Sequence, residues 1–153
     1  MAQTLALSLN ILLIHLATHG LLDDFKGLGV PSAVALSPDD KDNGLLTANE
    51  ILDLKTNAEL VVLSACDTGQ GTVTGDGVIR LSRALISAGA LSVIVTLWSI
   101  PDSPSALLMG EFYRQFQKNP DKAQALRQAI LVTMKQHPHP SAWAAFTLIG
   151  EAE

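Results

Sequence analysis

Leu60-Val61-Val62-Leu63-Ser64-Ala65-Cys66-Asp67-Thr68-Gly69 is the stretch on which the reading turns. A near-continuous apolar run of this length suits a strand covered on both faces, as in the parallel sheet of an α/β protein. It runs directly into the single cysteine of the chain. Three further runs have the same character. Asn10–Ala17 leads into Thr18-His19-Gly20, Leu91–Leu97 leads into Trp98-Ser99-Ile100-Pro101, and Trp143–Ile149 closes the chain.

Helical patterns lie between these runs. Thr47-Ala48-Asn49-Glu50 has capping-box spacing ahead of Ile51, Leu52 and Leu54. Gly77–Ala88 carries Ile79, Leu81, Leu85, Ile86 and Ala88 and stops at Gly89. Asp102 or Ser103 is placed to cap a helix with Pro104 in its first turn, an apolar stripe of Leu107, Leu108, Phe112 and Phe116, and a break at Asn119-Pro120. Asp121–Gln136 reads as a fourth helix, and His137-Pro138-His139-Pro140 as a loop. Strands alternating with helices place the chain in the α/β class. Leu21–Gly44 is the least regular segment. It reads as a long surface excursion with a short strand at Ser32–Leu36, and its acidic cluster Asp39-Asp40-Lys41-Asp42 as a solvated loop.

Composition bounds the function. The 153 residues are 48% hydrophobic and 16% charged, which excludes general disorder and suits a single domain over residues 1–153. A net charge of −5 argues against a nucleic-acid surface. One cysteine excludes a disulfide scaffold and suits a reducing compartment, so a cytoplasmic location is expected. No apolar run reaches the roughly 20 residues of a membrane span. The first 17 residues are apolar, but they lack a basic n-region and His15 interrupts them, so a core strand is the preferred reading over a signal peptide.

The informative fact is where His19 and Cys66 fall. Each lies just past the carboxyl end of an apolar run, and open α/β sheets bind ligands at that end. If the two strands are parallel neighbours, a spacing of about 5 Å brings imidazole and thiol to one rim, as a Cys–His nucleophile pair requires. The thiolate is the nucleophile, a nearby imidazolium favours it, and the same histidine can protonate a leaving amine. The N–H groups of Gly20 and Cys66 are candidates for an oxyanion hole. A lone cysteine at a strand end is also commonly a small buried hydrophobe. His15, inside the strand, reads as a satisfied core histidine. No metal-ligand spacing and no cofactor motif is present. Gly69, Gly71, Gly75 and Gly77 follow a strand and precede a helix, but their spacing is wrong for a dinucleotide fingerprint and no acidic residue closes the next strand.

Ile14-His15-Leu16-Ala17-Thr18-His19-Gly20 and Val61-Val62-Leu63-Ser64-Ala65-Cys66-Asp67-Thr68-Gly69 resemble the paired His and Cys motifs of the CHAT domain, the caspase-like peptidase domain often fused to tetratricopeptide repeats. Further matches follow in order: Gly44-Leu45-Leu46-Thr47-Ala48-Asn49-Glu50-Ile51, Leu81-Ser82-Arg83-Ala84-Leu85, Ala88-Gly89-Ala90, Leu97-Trp98 with Asp102, Phe112-Tyr113, and Trp143-Ala144-Ala145-Phe146 with Ile149-Gly150. The resemblance implies a caspase-like three-layer α/β sandwich with a mostly parallel sheet. It also implies a cysteine endopeptidase with His19 and Cys66 as its dyad. By the same resemblance Trp98, Ser99 and Asp102 line the pocket for the substrate side chain preceding the cut bond, with Asp67 a second acidic candidate. A carboxylate there would favour Arg or Lys. Asp102 reads equally as a helix cap.

A full caspase-like domain carries further strands before the histidine-bearing one, and only nine residues precede Asn10. The chain is therefore read as the C-terminal portion of such a domain, with N-terminal strands missing. Asn10–Ala17 then becomes an edge strand open to a second copy or to a complementing chain. A tetratricopeptide-repeat partner and a protein or peptide substrate are expected. The alternative reading is a caspase-like interaction module without catalysis.

Overall fold

The computed structural model describes residues 13–21, 32–64, 66–67 and 75–152; for Leu21, Cys66, Asp67, Gly75 and Asp76 it describes the backbone alone. The apolar runs form one sheet. Its strands are β1 (Leu13–Leu16), β5 (Leu60–Leu63), β7 (Ser92–Thr96) and β8 (Phe146–Gly150), in the order β1-β5-β7-β8. The first three are parallel and β8 is antiparallel to β7. All residues of β5 and β7 are buried, which is why their sequence is continuously apolar rather than alternating.

The period of two survives in what each face touches. Val61, Leu63, Val93 and Val95 pack against Ile51 of α1 (Ala48–Asp53) and against Leu81, Ala84 and Leu85 of α2 (Gly75–Ser87). Leu60, Val62 and Ile94 pack against Leu108, Met109 and Phe112 of α3 (Asp102–Lys118) and Leu126 and Ala129 of α4 (Lys122–Gln136). The result is a three-layer α/β sandwich with a mostly parallel central sheet. Each large side chain buried on either face contributes about 1.5–3 kcal/mol.

A second sheet was not foreseen. It consists of β4 (Leu45–Thr47), β3 (Ala33–Ala35), β2 (His19–Leu21) and β6 (Cys66–Asp67), in that order. β3 is antiparallel to both β2 and β4, and β2 is parallel to β6. The strand expected at Ser32–Leu36 is thus present as β3, but Ala33 and Val34 are fully buried, so the excursion is not all surface. The acidic cluster builds the β3–β4 turn. The Asp39 carboxylate accepts from the N–H groups of Lys41 and Asp42 at 2.7 and 2.8 Å, and Leu36 N–H donates to Gly44 O at 2.6 Å. Gly44 closes that turn at φ +72°, where a Cβ would sit 2.6 Å from Leu36 O.

Helix ends largely follow the sequence. Thr47 and Glu50 form the reciprocal capping box of α1, and Asp121 caps α4 by accepting from Gln124 N–H at 2.8 Å. Three expectations shift. Pro101, not Asp102 or Ser103, occupies the N-cap of α3, without a side-chain bond, and Asp102 is the first helical residue. The strand expected at Trp143–Ile149 starts at Phe146, because a 3₁₀ turn over Pro140–Ala142 holds Trp143 and Ala144 through the Pro140 carbonyl. Ile79 and Leu52, named in the apolar patterns of α2 and α1, are 45% and 50% exposed rather than buried. Among the described residues β1 is an outer strand of the main sheet, and no helix is long and apolar enough to cross a membrane.

Candidate functional site

Two parallel strands of the main sheet step together into the small sheet. β1 passes through Ala17 and Thr18 into β2, and β5 passes through residues 64 and 65 into β6. The same register holds on both sides of the step. Leu16 and Leu63 are partners at the end of the main sheet, Ser64 N–H donates to Leu16 O at 3.1 Å, and His19 and Cys66 are partners at the start of the small one. Equal chain lengths on the two strands therefore set His19 and Cys66 side by side in the backbone, at about the 4.8 Å spacing of neighbouring strands. Thr18 secures the step: its hydroxyl donates to Ala35 O of β3 at 2.5 Å.

His19 is exposed, and among the described residues its imidazole has no hydrogen-bond partner. Gly20 is buried, with Val34 as its partner on one edge of β2 and Asp67 on the other. The segment expected to line a substrate pocket leaves the same end of the main sheet, since Val95 is in register with Leu63. Ile100 is buried and anchors it. Trp98 is half-buried, packed toward the α3 and α4 side, with its indole N–H donating to Ser141 O at 3.0 Å. Ser99 and Asp102 are exposed, and the Asp102 carboxylate stands in the first turn of α3, where the helix dipole favours a negative charge. The candidates thus share one rim, with Trp98 tied to the 3₁₀ turn. Among the described residues no group of three His, Cys, Asp or Glu side chains could hold a metal.

His15 departs from the core role expected of it. It lies on the α3-facing side of β1, exposed, with Nδ1 at 2.8 Å from the Tyr113 hydroxyl and ring centroids 5.7 Å apart. Partial desolvation lowers the His15 pKa from its ordinary 6.5 and pushes Tyr113 up from 10.0 to about 12. His15 is therefore bonded where His19 has no partner among the described residues, a difference that the shared motif of two histidines does not reveal.

With this geometry in view, the family model of the CHAT domain matches residues 3–151. The chain belongs to the CHAT-domain family. Relatives of this CHAT domain include tetratricopeptide repeat protein 28 of Mus musculus and of Homo sapiens, each 42% identical over 108 residues. The alignment takes in 69% of the present chain and 4% of each relative, so the chain spans a small fraction of their length. The family accounts for the caspase-like sandwich, and the tetratricopeptide repeats in the relatives' names agree with the usual company of a CHAT domain.

Sequence reasoning passed over one feature beside α2. A groove of about 430 Å³ runs between α1 and α2, and Leu52, Ile79, Arg80 and Arg83 are among its lining. Its signal was the placement of Ile79 and Leu52 next to basic and polar residues at the margin of their helical stripes.

Proposed function

We propose that this CHAT domain is a cysteine endopeptidase in which Cys66 is the nucleophile and His19 the general base and acid. The observation that carries the reading is the backbone register of His19 with Cys66 at the carboxyl end of the parallel strands. His19 takes the thiol proton, and the Cys66 thiolate adds to the carbonyl carbon of the scissile peptide. The N–H groups of Gly20 and Cys66 receive the resulting oxyanion. The C–N bond breaks as the imidazolium gives its proton to the leaving amine, leaving a thioester on Cys66. Water, deprotonated by His19, then hydrolyses the thioester and regenerates the thiol.

Trp98, Ser99 and Asp102 are assigned to the side-chain pocket before the cut bond, with Asp67 as a further acidic contact. Arg or Lys is the side chain such a pocket favours. Tetratricopeptide repeats, named in both relatives, are the expected source of substrate recruitment. The outer position of β1 among the described residues supports pairing there with a second copy or another chain.

The test is incubation with peptide acyloxymethyl ketones bearing Arg, Lys or Asp at the reactive position, followed by mass spectrometry. The reading expects one adduct on Cys66, faster for Arg and Lys than for Asp, and lost in His19→Ala. An unlabelled Cys66, or labelling indifferent to His19, favours the non-catalytic interaction module.

A further inference from the structure

The groove between α1 and α2 is lined by residues of those two helices, and none of the residues assigned to the peptidase reading is among its described lining. Its floor is the buried pair Ala48 and Ala84. Leu52 and Ile79 form its walls, at 50% and 45% exposure, although neighbouring apolar positions of the same helices are buried. A volume of about 430 Å³ falls within the range of clefts that seat ligands or side chains, roughly 300–1,000 Å³. Arg80 and Arg83 stand one helical turn apart along it, both exposed. Among the described residues neither guanidinium has an ion-pair or hydrogen-bond partner.

We propose that this groove is a docking site for an acidic amphipathic helix of a partner protein. The charge argument is local. The chain as a whole carries −5, whereas here two arginines without a partner among the described residues stand beside exposed leucine and isoleucine. An acidic partner is steered there and repelled elsewhere. The spacing fits a helix: carboxylates one turn apart on the incoming segment meet Arg80 and Arg83, and its apolar residues at i, i+3 and i+4 meet Leu52 and Ile79. An extended peptide fits less well. It would lay backbone N–H and C=O groups over an apolar floor where Asn49 and Ser87 are the uncharged polar side chains on offer, whereas a helix satisfies its own backbone.

The test uses two synthetic alanine-based helical peptides of about fourteen residues, both with leucines along one stripe. One carries glutamates one turn apart beside the stripe and the other lysines at the same places. Fluorescence anisotropy against the full chain in about 0.05 M salt is expected to give a Kd for the Glu peptide of about 100 μM or below and at least a tenfold weaker one for the Lys peptide. About 0.5 M salt should weaken the Glu peptide. Arg80→Glu with Arg83→Glu should reverse the order of the two peptides, and Leu52→Ser should weaken both. Both arginines are exposed, and Arg80→Gln with Arg83→Gln offers a milder variant that should equalise the peptides. Equal affinities in the unaltered protein, an order that survives charge reversal, or no binding by about 1 mM would overturn the proposal. A dimer that charge reversal dissociates would overturn it too, by putting a second copy in the groove. None of these readouts depends on peptidase activity.

Discussion

The two sheets of this molecule are built from opposite materials. The central strands β5 and β7 of the main sheet are apolar at nearly every position and buried at every one, with a helical layer over each face. The small sheet has strands of two or three residues, and among its described side chains Ala33 and Val34 are the fully buried ones. The first holds the fold and the second carries the proposed chemistry. The pairs Leu16–Leu63 and His19–Cys66 keep one register on the two sides of the step, so the strong sheet sets the alignment of the weak one. The proposed dyad would need precision rather than thermodynamic strength, and the register of the main sheet would supply that precision.

This contrast can be broken at either end. Ile94→Ala, at a residue with no exposed surface in the middle of β7, should cost about 2–5 kcal/mol in urea unfolding. The alkylation rate of Cys66 in the molecules that remain folded should stay unchanged. Gly44→Ala forces a Cβ against Leu36 O at a positive φ and should cost about 1–3 kcal/mol while loosening the β3–β4 turn. Thr18→Val removes the hydroxyl that ties the step between the sheets to Ala35 O. It should cost about 1 kcal/mol in stability, yet slow Cys66 alkylation near neutral pH several-fold by freeing His19. A change in thiol reactivity from Ile94→Ala, or none from Thr18→Val, would contradict the division of labour between the sheets.

The smallest effect concerns β1 and α3. The folded His15 has a lowered pKa, so the unfolded chain takes up its proton first as pH falls below about 6.5. Its contribution is present above that pH and is lost as pH falls toward the folded value. Tyr113 is raised to about 12, so the unfolded chain loses its proton first, and stability declines as pH rises from about 10 toward 12. Thermal melts across pH should show both limbs, with the acid limb flattened in His15→Phe and the alkaline limb flattened in Tyr113→Phe.

What was legible in the sequence follows the same contrast. The long apolar runs announced the main sheet, and the capping box, Pro104 and Asp121 announced helix starts close to where they occur. The small sheet was nearly silent, because His19–Leu21 and Cys66–Asp67 are shorter than any period can be read over. They pair through backbone register, which side-chain patterning does not encode. His19 and Cys66 were recognisable as candidates from their positions after two apolar runs. The bond between His15 and Tyr113 was not, since it joins residues nearly a hundred positions apart through the packing of α3 on β1. Leu52 and Ile79 stand in the apolar patterns of their helices and are nonetheless half-exposed, because helical periodicity does not report where a covering layer ends.

The most direct test of the central claim is the pH dependence of Cys66 alkylation by iodoacetamide in the unaltered protein and in His19→Ala. His19 is exposed, so the substitution should leave folding intact. The account predicts a thiol that reacts well below the ordinary pKa of about 8.5, with that low-pH reactivity lost in the variant. A Cys66 that titrates as an ordinary thiol in both proteins would contradict it.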